Sequence, residues 1–254
     1  MKSVVLIVCH KKYDTPQLTP YKTIGVGPHT DSFDCDYTDN IGDNIAIKNQ
    51  NYCELTAHYW AWKHISNEYD IVGLCHYRRY FADSKFNRFG YLNEKSIEKY
   101  LKKADIILPE KWYWNVSVEE YYYRHGNGRR EDLRTTGDVL KEFYPAYVDL
   151  YANLLKSNSA SYCNMFVMKS SDFRRYSTWL FKVLSEVEVR TDISSYTPGE
   201  ARVFGYLSEL LLNVWVYKNM KKIKYLPMIN TAKSKEKMLK DDIKTILSRR
   251  GLHV

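Results

Sequence analysis

The chain has 254 residues, 44% of them hydrophobic and 27% charged, with 15% aromatic side chains that include 23 Tyr and 6 Trp. That length and balance fit one globular domain, or one domain with a small appendage, that buries a sizeable core. No apolar stretch approaches the roughly 18–20 residues of a membrane span, so the sequence excludes a chain that crosses the bilayer. Thirty-eight Lys and Arg against 30 Asp and Glu make it basic, which favours anionic partners: nucleoside diphosphates, nucleic acid or an anionic membrane surface.

In chain order, Val4 to Cys9 is a short β-branched run that predicts a buried parallel strand, closed by the basic residues His10, Lys11 and Lys12. Residues 13–47 are rich in Gly, Pro, Asp, Thr and Asn and read as a long loop region. Asn49 to Ser66 reads as a helix, with Leu55, Tyr59, Trp62 and Ile65 near helical spacing. Asp70 to Cys75 is a second buried strand, again followed at once by basic residues in His76-Tyr77-Arg78-Arg79. Helices are predicted over 96–103, 118–125, 138–156, 172–187 and 201–217. Strands are predicted over 104–109, 163–168 and, as a short terminal one, 224–227. Strands alternating with helices argue an α/β layered fold with a mostly parallel or mixed sheet. From Thr231 to Val254 the chain turns basic, and Leu239, Ile243, Ile246 and Leu247 can share one helix face. This tail reads either as an amphipathic helix on anionic lipid or as a solvated helix packed on the domain.

Several reactions are demoted by what is missing. The sequence has no GxGxxG, no GxxxxGK[ST], no HExxH and no GxSxG. Cys9, Cys35, Cys53, Cys75 and Cys163 are odd in number and lack metal-ligand spacing. With no secretory signal ahead of them, they point to a reducing cytoplasm. What stands out is the placement of cations after two strands. Open α/β sheets bind ligands at the carboxyl ends of their strands, so two such clusters on neighbouring strands would converge on one crevice suited to a diphosphate. Asp43 and Asn44, in the turn-prone segment 39–45, form either a ligand loop or a capped connection.

Asp43-Asn44-Ile45, Asn49, Glu54-Leu55-Thr56, Tyr59 to Lys63 and above all Gly73 to Phe81, with its HYRRYF string, resemble the signature of a bacterial family. That family was first catalogued as a domain of unknown function in capsule and exopolysaccharide gene clusters and is regarded as glycosyltransferases. The similarity continues through Asp105 to Pro109, Tyr121 with His125, Asn164 to Met168, Trp179 to Phe181, and Arg202 with Glu209, covering about residues 2–229. It implies a GT-A-like fold, a single-domain, Rossmann-type mixed sheet flanked by helices over 1–230, with 231–254 as a basic helix or tail. It implies transfer of a hexose, associated in the family with galactose in pyranose or furanose form, from a UDP-sugar.

In that reading His10, Lys11, Asp43, Asn44, Lys48, His76, Tyr77, Arg78 and Arg79 bind the donor. His125, Asn164 and Arg202 face the sugar or acceptor, an oligosaccharide or lipid-linked glycan. Most GT-A enzymes hold Mn²⁺ or Mg²⁺ on a DxD motif, whereas the corresponding strand end here carries His76 to Arg79, so no cofactor is expected and fixed cations take the metal's place. Glu209, Glu200 and Asp192 are candidates for the general base of an inverting transfer. Glu209 is favoured among them, with a structural Glu paired to Arg202 as the alternative. One departure is Leu210, where the family pattern implies Arg. The protein is expected in the cytoplasm, with the basic tail near the inner face of the plasma membrane. Rival readings are a non-catalytic scaffold of the same fold and a basic nucleic-acid-binding module, the latter without any nucleic-acid signature motif.

Overall fold

The computed structural model describes residues 1–28, 30 and 33–249. Strand β1 (Ser3–Cys9) is buried along its whole length, as a continuous apolar run covered on both faces must be. Strands β2 (Tyr21–Gly25) and β3 (Tyr37–Thr38) follow. Both lie in the segment expected to be loop. Tyr21 to Gly25 nevertheless runs parallel to Val5–Cys9, and such short, half-exposed strands carry little hydrophobic pattern. In place of one helix over 49–66 there are two, α1 (Asn49–Tyr52) and α2 (Leu55–His64). They are split at Cys53, whose φ of +53° no helix accommodates.

Strands β4 (Ile71–His76) and β5 (Arg79–Phe81) turn tightly back on each other, with His76 opposite Arg79. Next come α3 (Glu94–Leu101), β6 (Ile106–Pro109), β7 (Trp112–Tyr113) and α4 (Val118–Arg124). The helix expected over 138–156 is also two, α5 (Arg130–Phe143) and α6 (Val148–Lys156). Pro145, which lacks an N–H and cannot continue a helix, separates them. The chain ends with β8 (Ser159–Ala160), β9 (Phe166–Lys169), α7 (Ser170–Arg190), α8 (Val203–Lys218), β10 (Ile223–Leu226), β11 (Met228–Asn230) and α9 (Lys235–Arg249).

The main sheet runs β10-β6-β9-β4-β1-β2-β3, with β5 and β11 paired off its β4 end. β9 is antiparallel to both its neighbours, while β1 is parallel to β2 and β4, which makes the sheet mixed. Gly73 lets its centre close up: a Cβ there would sit 2.8 Å from Val167 and 3.0 Å from Val5. The chain leaves β1 toward β2 on one side and returns through β4 on the other. That reversal opens a crevice at the carboxyl ends of β1, β2 and β4.

The helical layer seals one face of the sheet. His58 of α2 is enclosed by Phe166, Phe173, Tyr176 and Phe181, with its Nε2 2.8 Å from Ser177 Oγ. Burial pushes its pKa down to about 3 and keeps it neutral. At the C-terminus, two acids of α9 are ion-paired: Asp242 meets Arg88 at 2.5 Å and Asp241 meets Lys233 at 2.6 Å. Met238 is the buried residue of α9, whereas Leu239, Ile243 and Ile246 are 46%, 56% and 49% exposed. Residues 250–254 of the basic tail lie outside the described residues. Among the described residues, no helix is long and apolar enough to cross a membrane.

Candidate active site

The crevice at the strand ends is a cavity of about 560 Å³. β1 and β2 supply His10 and Val26, and the β4–β5 turn supplies His76 to Arg79. The break between α1 and α2 contributes Cys53 and Glu54, and the start of α8 contributes Arg202, Tyr206 and Glu209. Trp112, Tyr121 and Tyr162 close it with aromatic faces. The cavity therefore brings arginines and two carboxylates together, and its aromatic side chains offer rings of the kind that pack on sugars.

The HYRRYF string is a hairpin built for this place. Tyr80 and Phe81 are fully buried and anchor it, and Tyr80 Oη donates to the Tyr77 carbonyl at 2.9 Å. Tyr77 stacks on Tyr13 at 3.8 Å and meets His10 edge-on at 4.9 Å. Arg78 and Arg79 are left facing the cavity. His76 lines it too, but not as a cation: its ring is buried and its pKa lowered by that burial. It stays neutral, and its Nε2–H donates to the Cys163 carbonyl at 2.5 Å. Any contact it makes with a ligand is therefore that of a neutral ring, and it also holds the turn that faces the cavity. His10 is likewise kept from protonating, by burial first and then by Lys11 and Arg78.

Both carboxylates depend on one strained turn. Cys163 and Asn164 have φ of +77° and +46°, a region that costs non-glycine residues about 1–3 kcal/mol each. Cys163 N–H donates to Glu209 at 3.0 Å. Asn164 Nδ2 donates to Glu54 at 2.7 Å and to the Gly205 carbonyl at 2.9 Å. Loss of water around Glu209, reinforced by Glu54, pushes its carboxyl up to about 8 against the opposing pull of Arg79. Cys53, the third positive-φ residue here, accepts from Arg202 Nε at 3.1 Å. Burial pushes the thiols of Cys53 and Cys163 up to about 11 and about 12, so neither presents a thiolate at neutral pH.

Of the residues expected at the site, His10, His76, Tyr77, Arg78, Arg79, Arg202 and Glu209 line the cavity. Asn164 lies buried beneath it and acts on Glu54. The others are elsewhere. Lys11 lines a separate surface cavity with Lys12 and Tyr13. Asp43 is ion-paired to Lys63 at 3.1 Å, and Asn44 caps its own turn through the Gly42 carbonyl. Lys48 is neutralised by Glu188 at 2.7 Å. His125 stands one layer back, stacked on Tyr121 at 4.1 Å. Glu200 is engaged by Arg129 and Thr197, and exposed Asp192 by the Ser194 N–H. The alternative pairing of Glu209 with Arg202 is not made: Arg202 Nε donates to Cys53 Sγ at 3.1 Å, and Arg202 acts on the Glu209 carboxyl only through its charge. Leu210 is fully buried, so that position faces the core and not the cavity.

Glu54 and the rings of Trp112, Tyr162 and Tyr206 were not among the expected site residues. Only the unusual aromatic content hinted at the rings. A divalent metal, implied by the GT-A resemblance, does not fit here: the strand end bears guanidinium groups and a neutral imidazole tied to a carbonyl. Among the described residues, no group of three or more His, Cys, Asp or Glu converges in a way that could hold a metal ion.

The family model described as Domain of unknown function (DUF4422) matches residues 4–221. No curated protein shows significant sequence similarity to the chain. Among solved structures, it is similar to the apo structure of the WbbM bifunctional glycosyltransferase, with 28% identity and a TM-score of 0.83, over 92% of this chain and 46% of that one. The chain thus spans about half the length of WbbM. Similarity to the Saccharomyces cerevisiae mannosyltransferase Ktr4p extends over 91% of this chain and 70% of that one, but at 10% identity and a TM-score of 0.39 it carries no weight. The fold, a mostly parallel mixed sheet flanked by helices, is GT-A-like.

Proposed function

We propose, starting from the fact that this chain belongs to the DUF4422 family, that it is a glycosyltransferase moving a hexose from a UDP-sugar to an oligosaccharide or lipid-linked acceptor in capsule or exopolysaccharide synthesis. Galactose, as pyranose or furanose, is the sugar the reading favours. The observation that carries it is the division of one strand-end cavity into an arginine wall, a carboxylate pair and an aromatic rim. The likeness to WbbM, a bifunctional glycosyltransferase, supports it.

In this reading Arg78 and Arg79 neutralise the diphosphate and stabilise it as it leaves, the role a metal plays at a DxD site. Tyr77 and His10 shape the nucleotide end. Glu209 takes the proton of the attacking acceptor hydroxyl in an inverting displacement. Its raised pKa suits a base operating near neutrality. Glu54 and Asn164 hold that base's environment, and the aromatic rim receives the acceptor sugar. Residues 1–230 form the catalytic unit, and the basic segment 231–254 meets anionic lipid at the inner face of the membrane. Support for the latter comes from α9, whose Asp241 and Asp242 are ion-paired and which leaves Leu239, Ile243 and Ile246 exposed beside Lys240 and Lys244.

The test is UDP release from a panel of UDP-sugars with alkyl-linked galactose as acceptor, read with the anomeric configuration of the product by NMR. One donor turned over with inversion supports the reading. No turnover and no binding of any UDP-sugar sinks it.

A further inference from the structure

Beyond Trp112 the active-site cavity is followed by a second cleft of about 380 Å³, between β7 and α9, and Trp112 lines both. On one side stand the half-buried rings of Trp112, Tyr113 and Trp114. The aromatic surface is continuous with the first cavity, because Trp112 lies parallel to Tyr162 at 5.8 Å and Trp114 packs on Tyr121 at 4.3 Å. The other side is the inward face of α9, which offers Asp241, Lys244, Thr245 and Ser248. Flat rings facing hydroxyl and charged side chains that can donate and accept hydrogen bonds suit a ligand with apolar C–H faces and hydroxyl edges.

Arg88 gives a second, independent sign. Its Nε and Nη2 are bound to Asp242 at 2.5 and 3.0 Å, but its buried Nη1 has no hydrogen-bond partner among the described residues. This side chain lines the cleft. A buried donor left without a partner is destabilising, and a ligand oxygen in the cleft would remove that cost.

We propose that this cleft is an extension subsite for a neutral oligosaccharide, taking the sugar residues that follow the one seated in the first cavity. The proposal rests on the reading of that first cavity as an acceptor site. Here rings stack against Trp112 and Trp114, and hydroxyls meet Arg88 Nη1 and the polar face of α9. The enzyme would then recognise a growing glycan chain and not only its terminal sugar.

Saturation-transfer NMR and calorimetry, with no donor present, would titrate linear galacto-, gluco- and manno-oligosaccharides of one to five residues into the full chain. The variants Ser248→Trp and Lys244→Trp, each at an α9 position that lines the cleft, would be tested alongside with a melting curve for each. The expected result is that at least one series gains about tenfold or more in affinity from one residue to three. Either variant should return the longer sugars to the affinity of the monosaccharide while leaving the monosaccharide unchanged. Affinity independent of length in every series, absence of binding, or a gain that survives both folded variants would overturn the subsite. Because no nucleotide is present, a failure of the donor reading shows up separately, as loss of UDP-sugar binding with the length dependence intact.

Discussion

Glu54, at the break between α1 and α2, and Glu209 of α8 reach one cavity and are tied there by consecutive residues, Asn164 donating to Glu54 at 2.7 Å and Cys163 N–H to Glu209 at 3.0 Å. The tie requires both donor residues to hold positive φ, so backbone strain in the turn before β9 is exchanged for the placement of two carboxylates. Such strain persists where the surroundings over-determine it, and it collects at functional sites.

Removing the tie should therefore harm function more than folding. Asn164→Ala strips Glu54 and the Gly205 carbonyl of a donor, and Ser208 of the acceptor it meets at 2.8 Å. A loss of about 1–3 kcal/mol is expected in urea unfolding, with turnover falling well beyond what the folded fraction explains. Unchanged turnover per folded molecule would remove Asn164 from the site.

As the proposed base, Glu209 should set the pH dependence of transfer. With a carboxyl pushed up to about 8, it is protonated in the resting cavity at neutral pH and becomes a competent base only as pH rises through that value. Turnover should climb through about pH 8, and Glu209→Gln should cost about 10²–10⁴-fold in kcat while leaving UDP-sugar affinity near wild type. Folding moves the opposite way. Between the ordinary carboxylate range and pH 8 the folded state holds a proton that the unfolded chain lacks, so stability declines as pH rises through 8. Glu209→Gln should abolish that decline in a melting-temperature series.

His58 governs the acid side. Exposed, it would titrate at 6.5; enclosed by Phe173 and Phe181 it titrates near 3. Between those values the unfolded chain binds a proton that the folded one refuses, so stability is complete above pH 6.5 and drains away below it. Glu209 acts in the opposite sense over part of this range, so the comparison is with His58→Gln, which keeps a donor for Ser177: from pH 7 to 4 the wild type should lose melting temperature relative to that variant. A difference between the two that does not change with pH would contradict the buried neutral imidazole.

Much of the fold was legible because its central strands are continuous apolar runs: Val4 to Cys9 and Asp70 to Cys75 are the paired core of the sheet, as their patterns imply. β2, β3 and the kink at Cys53 were not, since two-to-five-residue strands and a single positive φ leave no periodic trace. At the site, the arginines were visible as a cluster after a strand. Lys11, Lys48 and Glu200 looked equivalent in sequence, but Lys48 and Glu200 are consumed by Glu188 and Arg129 and Lys11 faces another cavity, facts only three dimensions provide. Glu54 went unrecognised for the converse reason: it lies in what reads as an unbroken helix.

The proposed contact of α9 with anionic lipid has its own readout. Vesicles containing anionic phosphatidylglycerol should co-sediment the protein, with binding weakened by salt. Lys240→Glu/Lys244→Glu should lose about 1 kcal/mol per charge removed, and Ile243→Asp should lose more. Equal binding to neutral vesicles would leave the lysines without a part in it.

The central claim is that Arg78 and Arg79 hold the donor diphosphate in place of a metal, and calorimetry of a UDP-sugar panel with Mn²⁺ or with chelator tests it most directly. The account predicts that one UDP-sugar binds with the same affinity under both conditions and that Arg78→Ala/Arg79→Ala loses that binding by at least about two orders of magnitude. Binding that appears only with Mn²⁺, or that survives in the double variant, would contradict it.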